Sequence, residues 1–189
     1  LSSKQILGIE FGLPPLPEQQ RIVAILDESL AGIATAKASA ERSLRHSRSV
    51  FQCKLDAAFD ADAWPMQPLS AVCAVFADGD WIESNDQSSD GIRLVQTGNV
   101  GEGVFKRRES KARYISEATF HRLRCTEIFP GDCLVSRLPD PVGRSCLLPD
   151  TGSRMITAVD CTIIRFNEGQ VLPEFFVNYS LSSAYLRAI

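Results

Sequence analysis

The chain lacks a long apolar run, a signal-like opening and a cluster of metal ligands. No apolar run reaches the ~18–20 residues that cross a bilayer, so no membrane span is expected. The opening Leu-Ser-Ser-Lys-Gln-Ile-Leu has no charged-then-apolar layout of a secretory signal, and a cytoplasmic protein is expected. Metal ligands are sparse. The six cysteines form no C-x-x-C pair, and the two histidines, His46 and His121, stand apart from any cysteine cluster. No metal site follows. Scattered cysteines in 189 residues are not a disulfide framework, and the reading is buried free thiols in a reducing compartment. Catalytic signatures are missing too: no G-x-G-x-x-G loop follows a strand, and Asn99 begins no Asn-Pro-Pro-Tyr motif. Ser, His and Asp form no nucleophilic arrangement. Asp132, in Pro-Gly-Asp, has no Glu-x-Lys companion and reads as a turn residue. No catalytic residue is assigned.

A strong net charge is also absent, at −3 overall, but the even total hides an uneven distribution. Residues 60–102 carry one basic residue, Arg93, against eight acidic ones, a net of −7. Residues 103–144 carry nine basic against five acidic, a net of +4. Local clustering of cations is what phosphate binding needs.

Residues 13–27 hold the densest structural signal. Pro14, Pro15 and Pro17 cannot lie inside a sheet or a helix interior. Pro17 suits a first helical turn, with Glu18 well placed for the helix dipole. Residues 1–16 therefore read as the tail of a preceding domain plus a proline hinge, with Ile6, Leu7, Ile9 and Phe11 as candidates to close a core. From residue 17 to 59 there is no further proline past the first position, and Gly32 is the only glycine. Ile22, Leu26, Ile33, Ala36, Ala40, Leu44, Ser47, Phe51 and Leu55 recur mostly at three- and four-residue steps, one face of a helix roughly 60 Å long. Such a stripe needs a partner helix, and a second copy of the chain, giving a homodimer, is expected to supply it. Packing along its own globular domain is the alternative.

Residues 60–189 read as a separate, strand-rich domain. Asp60-Ala-Asp-Ala-Trp-Pro breaks the helix. Ile92-Arg-Leu-Val-Gln alternates apolar and polar, a half-buried strand, and a glycine turn cluster follows at 98–103. Ser116 caps a short helix. Pro130-Gly-Asp turns into the strand at Cys133. Residues 158–166 give the strongest strand signal, and Pro173 opens a final helix. The fold class expected is α+β: a long coiled-coil-forming helix, then a mixed domain of strands and short helices.

Pro14-Pro-Leu-Pro-Glu-Gln-Gln-Arg-Ile-Val-Ala-Ile-Leu-Asp resembles the central conserved region of specificity subunits of Type I restriction–modification systems. Further landmarks follow in the same order: Trp64 and Leu69, Ile92-Arg-Leu-Val-Gln-Thr-Gly-Asn-Val, Tyr114-Ile-Ser, Gly131-Asp-Cys-Leu-Val-Ser-Arg, Pro173-Glu-Phe-Phe and Leu181-Ser-Ser. The resemblance implies a non-catalytic subunit. Its target recognition domains each read half of a split DNA sequence, and paired helices set the distance between them. It implies modification (methyltransferase) and restriction subunits as partners. S-adenosylmethionine, ATP and Mg would belong to those partners, with no cofactor in this chain. The family pattern has two helices and two recognition domains. This chain has one of each, so it reads as an excerpt or a half-size form, with a recognition domain cut short at its C-terminus.

Candidate DNA contacts fall in and around the basic segment. Lys106, Arg107, Arg108, Lys111 and Arg113 form a backbone clamp, or else a solvated charged hairpin. Arg137, Arg144 and Arg154 lie near turns, where arginine reads guanine or makes a surface ion pair. Gln96, Thr97 and Asn99 follow a strand, and Gln and Asn bond adenine, although Asn99 also suits a turn. Trp64 and Trp81 read as core or interface anchors. The expected function is sequence-specific recognition of double-stranded DNA, directing adenine methylation and cleavage by partner subunits. The alternatives are a structural coiled-coil dimerisation module and the recognition part of a fused restriction–modification enzyme.

Overall fold

The computed structural model describes residues 2–59, 64–139 and 141–189. Of the breaker expected at 60–65, residues 60–63 lie outside the described residues. Two compact units divide the chain, Leu1–Phe51 and Gln52–Ile189.

In the first unit, α1 (Ser3–Leu7) carries a capping box. The Ser2 hydroxyl accepts from the Gln5 amide at 3.3 Å, and the Gln5 side chain accepts from the Ser2 amide at 2.8 Å. Ile6, Leu7, Ile9 and Phe11 are exposed and close no core within this unit. The proline segment has a local purpose at the start of α2 (Leu16–Ala58). The Pro15 carbonyl accepts from the Glu18 and Gln19 amides at 2.9 and 3.1 Å. The Gln19 side chain reaches back to the Pro14 carbonyl at 2.8 Å. The Pro15 carbonyl thus takes up the Glu18 amide, which a helix start would leave orphaned, and Pro15 and Pro17 have no N–H to satisfy. Forty-three residues of helix follow. Ser29 and Thr35, which favour other conformations, donate to carbonyls four residues back, at 2.7 and 2.9 Å. The pairing stripe is bare: Ile22, Leu26, Ile33, Leu44 and Phe51 are 40–65 % exposed, and Ala36 and Ala40 are exposed as well. Val23, Ile25 and Leu30 are also exposed. At 100° per residue they widen the apolar arc of residues 22–33 to about 160°, broader than a strict two-helix seam.

The second unit is layered. In chain order its strands are β1 (Cys73–Asp78), β2 (Gln87–Ser88), β3 (Ile92–Val95), β4 (Arg113–Ile115), β5 (Glu127–Ile128), β6 (Cys133–Ser136), β7 (Ser145–Leu147), β8 (Met155–Thr157) and β9 (Cys161–Phe166). One sheet runs β1-β9-β6-β7, all antiparallel. The other runs β2-β4-β3-β8-β5, with β3 and β8 parallel. Short helices α3 (Glu117–Leu123), α4 (Pro173–Tyr179) and α5 (Ser183–Ala188) complete it.

The two-residue period of a strand sorts the side chains into layers. Val95, Ile128 and Met155 from one sheet meet Leu134, Cys146, Cys161 and Ile163 from the other in the central core. Ile92, Leu94, Ile115 and Ile156 turn the other way, onto Phe120 and Leu123 of α3. Cys133 and Ile164 turn outward from their sheet, onto Phe176, Val177 and Tyr185 of α4 and α5. The order is therefore α3, five-stranded sheet, four-stranded sheet, α4–α5. Each fully buried Leu or Ile contributes about 1.5–3 kcal/mol.

Residues 52–59 belong to this unit. Leu55 is buried, at 8 % exposure, so it is a core residue here and not part of an open pairing stripe. Asp56 accepts from the Ser183 amide and hydroxyl, both at 2.8 Å, at the first turn of α5. Those bonds hold its carboxyl below the ordinary range. Gln52 donates to the Leu181 carbonyl at 3.3 Å, and Phe59 meets the Phe175 ring edge-on at 5.1 Å.

Several expectations are corrected. The strand expected over 158–166 is shorter. Ala158–Asp160 turns the chain from β8 in one sheet to β9 in the other, and β8 has no sequence signal of its own. Gly79 makes that turn possible, since a Cβ there would overlap the Thr157 and Ala158 carbonyls. The final helix is two helices, broken after Tyr179 and restarted by Ser182, whose hydroxyl accepts from the Tyr185 amide at 3.3 Å. Cys53 is exposed, against the expectation of buried thiols throughout. Cys125, Cys133 and Cys146 are buried, and burial pushes their thiols up to about 11, 12 and 12.

Candidate nucleic-acid interface

The basic segment is a loop built on two buried polar residues of β3 and its exit. Arg93 is buried, although strand alternation places it toward solvent. Its guanidinium donates to both oxygens of the Glu109 carboxylate, at 3.0 and 2.9 Å, and to the Arg107 carbonyl. Asn99 is also buried. Its amide oxygen accepts from the Gln96 amide at 2.9 Å, and its NH2 donates to the Lys106 carbonyl at 2.8 Å and the Arg107 carbonyl at 3.3 Å. The Lys106 amide returns a bond to the Asn99 carbonyl at 2.8 Å. Loop 106–111 is thus gripped through its backbone, which leaves its cationic side chains outward.

Arg108 shows the cost of that grip. Its φ of 48° is in the left-handed region, disfavoured by roughly 1–2 kcal/mol for a residue with a Cβ. Such strain persists only where the surroundings fix it, and here the Arg93 and Asn99 bonds to residue 107 do so. The Arg108 guanidinium lies across Gly98, where a Cβ would collide with it. The result is a cavity of about 390 Å³ lined by Gln96, Asn99, Arg108, Lys111, Ala112 and Arg113. Lys106, Arg107, Arg108, Lys111 and Arg113 are all exposed. Among the described residues none of the five makes a salt bridge within 4.0 Å. Unpaired cations around a concavity, with an amide in the wall, suit a phosphate-bearing ligand.

The structure separates this group from the other candidate bases. Arg144 is spent on backbone: it donates to the carbonyls of Val100, Thr97, Leu138 and Pro141 at 2.7, 3.0, 2.9 and 2.8 Å. Arg154 pairs with Glu117 at 2.5 Å and with Glu127 at 2.8 Å, and lies 4.9 Å over the Phe120 ring. Those carboxylates raise its pKa, and its guanidinium lowers that of Glu127. Arg137 donates to the Val159 carbonyl at 2.5 Å and faces Asp78 at 3.3 Å. These three arginines tie parts of the unit together. Asn99 is a loop clamp, and Thr97 offers its carbonyl to Arg144. Of the trio 96–99, Gln96 lines the cavity with a half-buried side chain and no hydrogen bond from it among the described residues. Asp132 is buried and accepts from Arg165 at 2.7 and 2.7 Å and from the Phe129 amide at 2.8 Å, the turn role expected of it. Arg93 escapes sequence reasoning because a lone Arg in an alternating strand reads as solvent-facing.

Among the described residues, no group of three or more His, Cys, Asp or Glu side chains is placed to hold a metal ion, and no helix is long and apolar enough to cross a membrane.

A long helix followed by a two-sheet unit with helices on both outer faces defines an α+β architecture. Solved structures that share it include two that match over most of this chain. One is the HsdS subunit from Thermoanaerobacter tengcongensis, at TM-score 0.56 and 19 % identity, matched over 93 % of this chain and 42 % of that one. The other was solved in work on complex assembly and conformational transition of the type I R-M system, at TM-score 0.66 and 20 % identity, over 92 % and 42 %. At these identities the likeness is one of fold, and this chain spans under half the length of either structure. No protein-family model and no curated protein matches the sequence.

Proposed function

We propose that this chain is a DNA-recognition module of the Type I specificity-subunit kind. Its second unit binds double-stranded DNA through Lys106, Arg107, Arg108, Lys111 and Arg113. The observation that carries the reading is the exposed cations Arg108, Lys111 and Arg113 lining one cavity, with Lys106 and Arg107 exposed on the same loop, in a fold shared with an HsdS subunit. The module itself performs no chemistry. Partner modification and restriction subunits carry S-adenosylmethionine, ATP and Mg, methylate adenine and cleave, and this chain directs them to sequence within the cytoplasm. The exposed face of α2 supports pairing with a second helix, from another copy of the chain. Helix pairing then sets the spacing between two recognition units.

Duplex binding by the wild type and by a Lys106, Arg107, Arg108 triple-alanine variant tests the reading. Expected is a loss of binding at unchanged circular dichroism. Equal binding by both proteins sinks it. The competing reading, a dimerisation module that never meets DNA, is favoured by the bare apolar face of α2 alone. It predicts a concentration-dependent dimer with no duplex affinity in either protein.

A further inference from the structure

Beside the cationic cavity lies a second concavity of about 420 Å³, and its chemistry is different. Trp81, Glu83, Asn85, Gln87 and Arg113 line it. Arg113 belongs to both cavities and forms the wall between them. Trp81 is 71 % exposed, a large aromatic face open to a ligand. Glu83 and Asn85 are exposed, and the Asn85 and Gln87 side chains make no hydrogen bond among the described residues.

The turn that carries them is held. Asp86 accepts from the Glu83 amide at 3.1 Å and pairs with Arg122 of α3. Gln87 then enters β2, in register with Ile115 of β4. Fixing the backbone this way presents the side chains without the entropy cost of ordering a floppy loop.

A carboxylate in the wall repels phosphate, so this groove is unsuited to the DNA backbone. Its groups match base edges instead. Asn and Gln bond adenine bidentately, a carboxylate accepts from the cytosine amino group, and an aromatic face meets a thymine methyl. We infer that the Trp81–Glu83–Asn85–Gln87 groove reads base edges while the neighbouring cations hold phosphate, with Arg113 at the boundary. This assignment rests on the DNA-binding reading above and adds to it the residues that choose the sequence.

The test selects bound duplexes from a randomised library with the wild-type chain and with the Glu83→Gln, Asn85→Ala and Trp81→Ala variants, and sequences them. In parallel, the salt dependence of binding to one fixed duplex is measured for each protein. Expected is a change in preferred base at one or two positions, about fivefold or more, with the salt slope kept. The same enriched motif in all four proteins overturns the assignment, as does wild-type binding with no enriched motif. A salt slope that falls in Glu83→Gln or Asn85→Ala overturns it too. These outcomes leave the DNA-binding reading intact, whereas a wild-type chain that retains no duplex from the library removes both.

Discussion

Arg108 and Arg144 lie in the same basic stretch of sequence, yet the fold uses them in opposite ways. Arg144 gives its donors to four backbone carbonyls and joins the loop after β3 to the loop after β6. Arg108 gives none among the described residues, sits in a strained left-handed conformation and overhangs an open cavity. The same division runs through the unit. Arg93, Arg137, Arg154 and Arg165 are held by carboxylates or carbonyls, while Lys106, Arg107, Lys111 and Arg113 pair with no carboxylate among the described residues. Formal charge thus overstates the charge on offer to a ligand, and the tied arginines build the platform on which the free ones stand.

The division can be broken most severely at Asp132. Asp132→Ala leaves the Arg165 guanidinium without its carboxylate and the Phe129 amide without its acceptor. A loss of about 3–5 kcal/mol is expected by urea unfolding, and a loss below about 1 kcal/mol would show that the pair is ornamental. Next comes Arg93→Ala. Glu109 is exposed, so screening weakens that pair, and most of the effect comes from the lost bond to the Arg107 carbonyl. About 2 kcal/mol of destabilisation is expected, with faster amide exchange confined to residues 106–112. Unchanged exchange there would contradict the clamp.

Arg154→Ala sharpens the contrast from the other side. Its pairs are exposed, so stability should fall by less than about 1 kcal/mol and duplex affinity should stay within twofold of wild type, read by fluorescence anisotropy. A large affinity loss would return Arg154 to the interface. The smallest effect concerns acid. Ser183 holds Asp56 and Arg122 holds Asp86 below their ordinary range. Groups depressed on folding add stability that is present above the unfolded pKa, near 3.9, and is lost as pH falls below it. Asp56→Asn should flatten the decline in melting temperature below about pH 4, and an unchanged profile would contradict the tie.

Local signals carry most of the architecture. The prolines and the long proline-free run mark α2 because each acts on its own backbone, through φ and a missing donor. Ser116 marks α3 for the same reason. What escapes is set by distant partners. β8 has three residues and exists because β3 and β5 flank it. Leu55 follows the helical period of the stripe, but its burial comes from within the second unit. At the site, the free cations are legible as a charge run, whereas Arg144 and Arg154 look the same as those cations, because nothing in a one-dimensional pattern tells a tied guanidinium from a free one. Trp81 reads as an anchor in the sequence, and only its exposure reveals a groove.

The claim that free cations, not tied ones, meet DNA is tested most directly by the salt dependence of duplex binding. The comparison is between the wild type, a Lys106, Arg108, Lys111 triple-alanine variant and Arg154→Ala. Each phosphate neutralised contributes about 0.9 to the slope of log affinity against log salt. The triple variant should lose about 2.7 from the wild-type slope, and Arg154→Ala should lose none. A triple variant with the wild-type slope, or an equal drop in Arg154→Ala, would contradict the account.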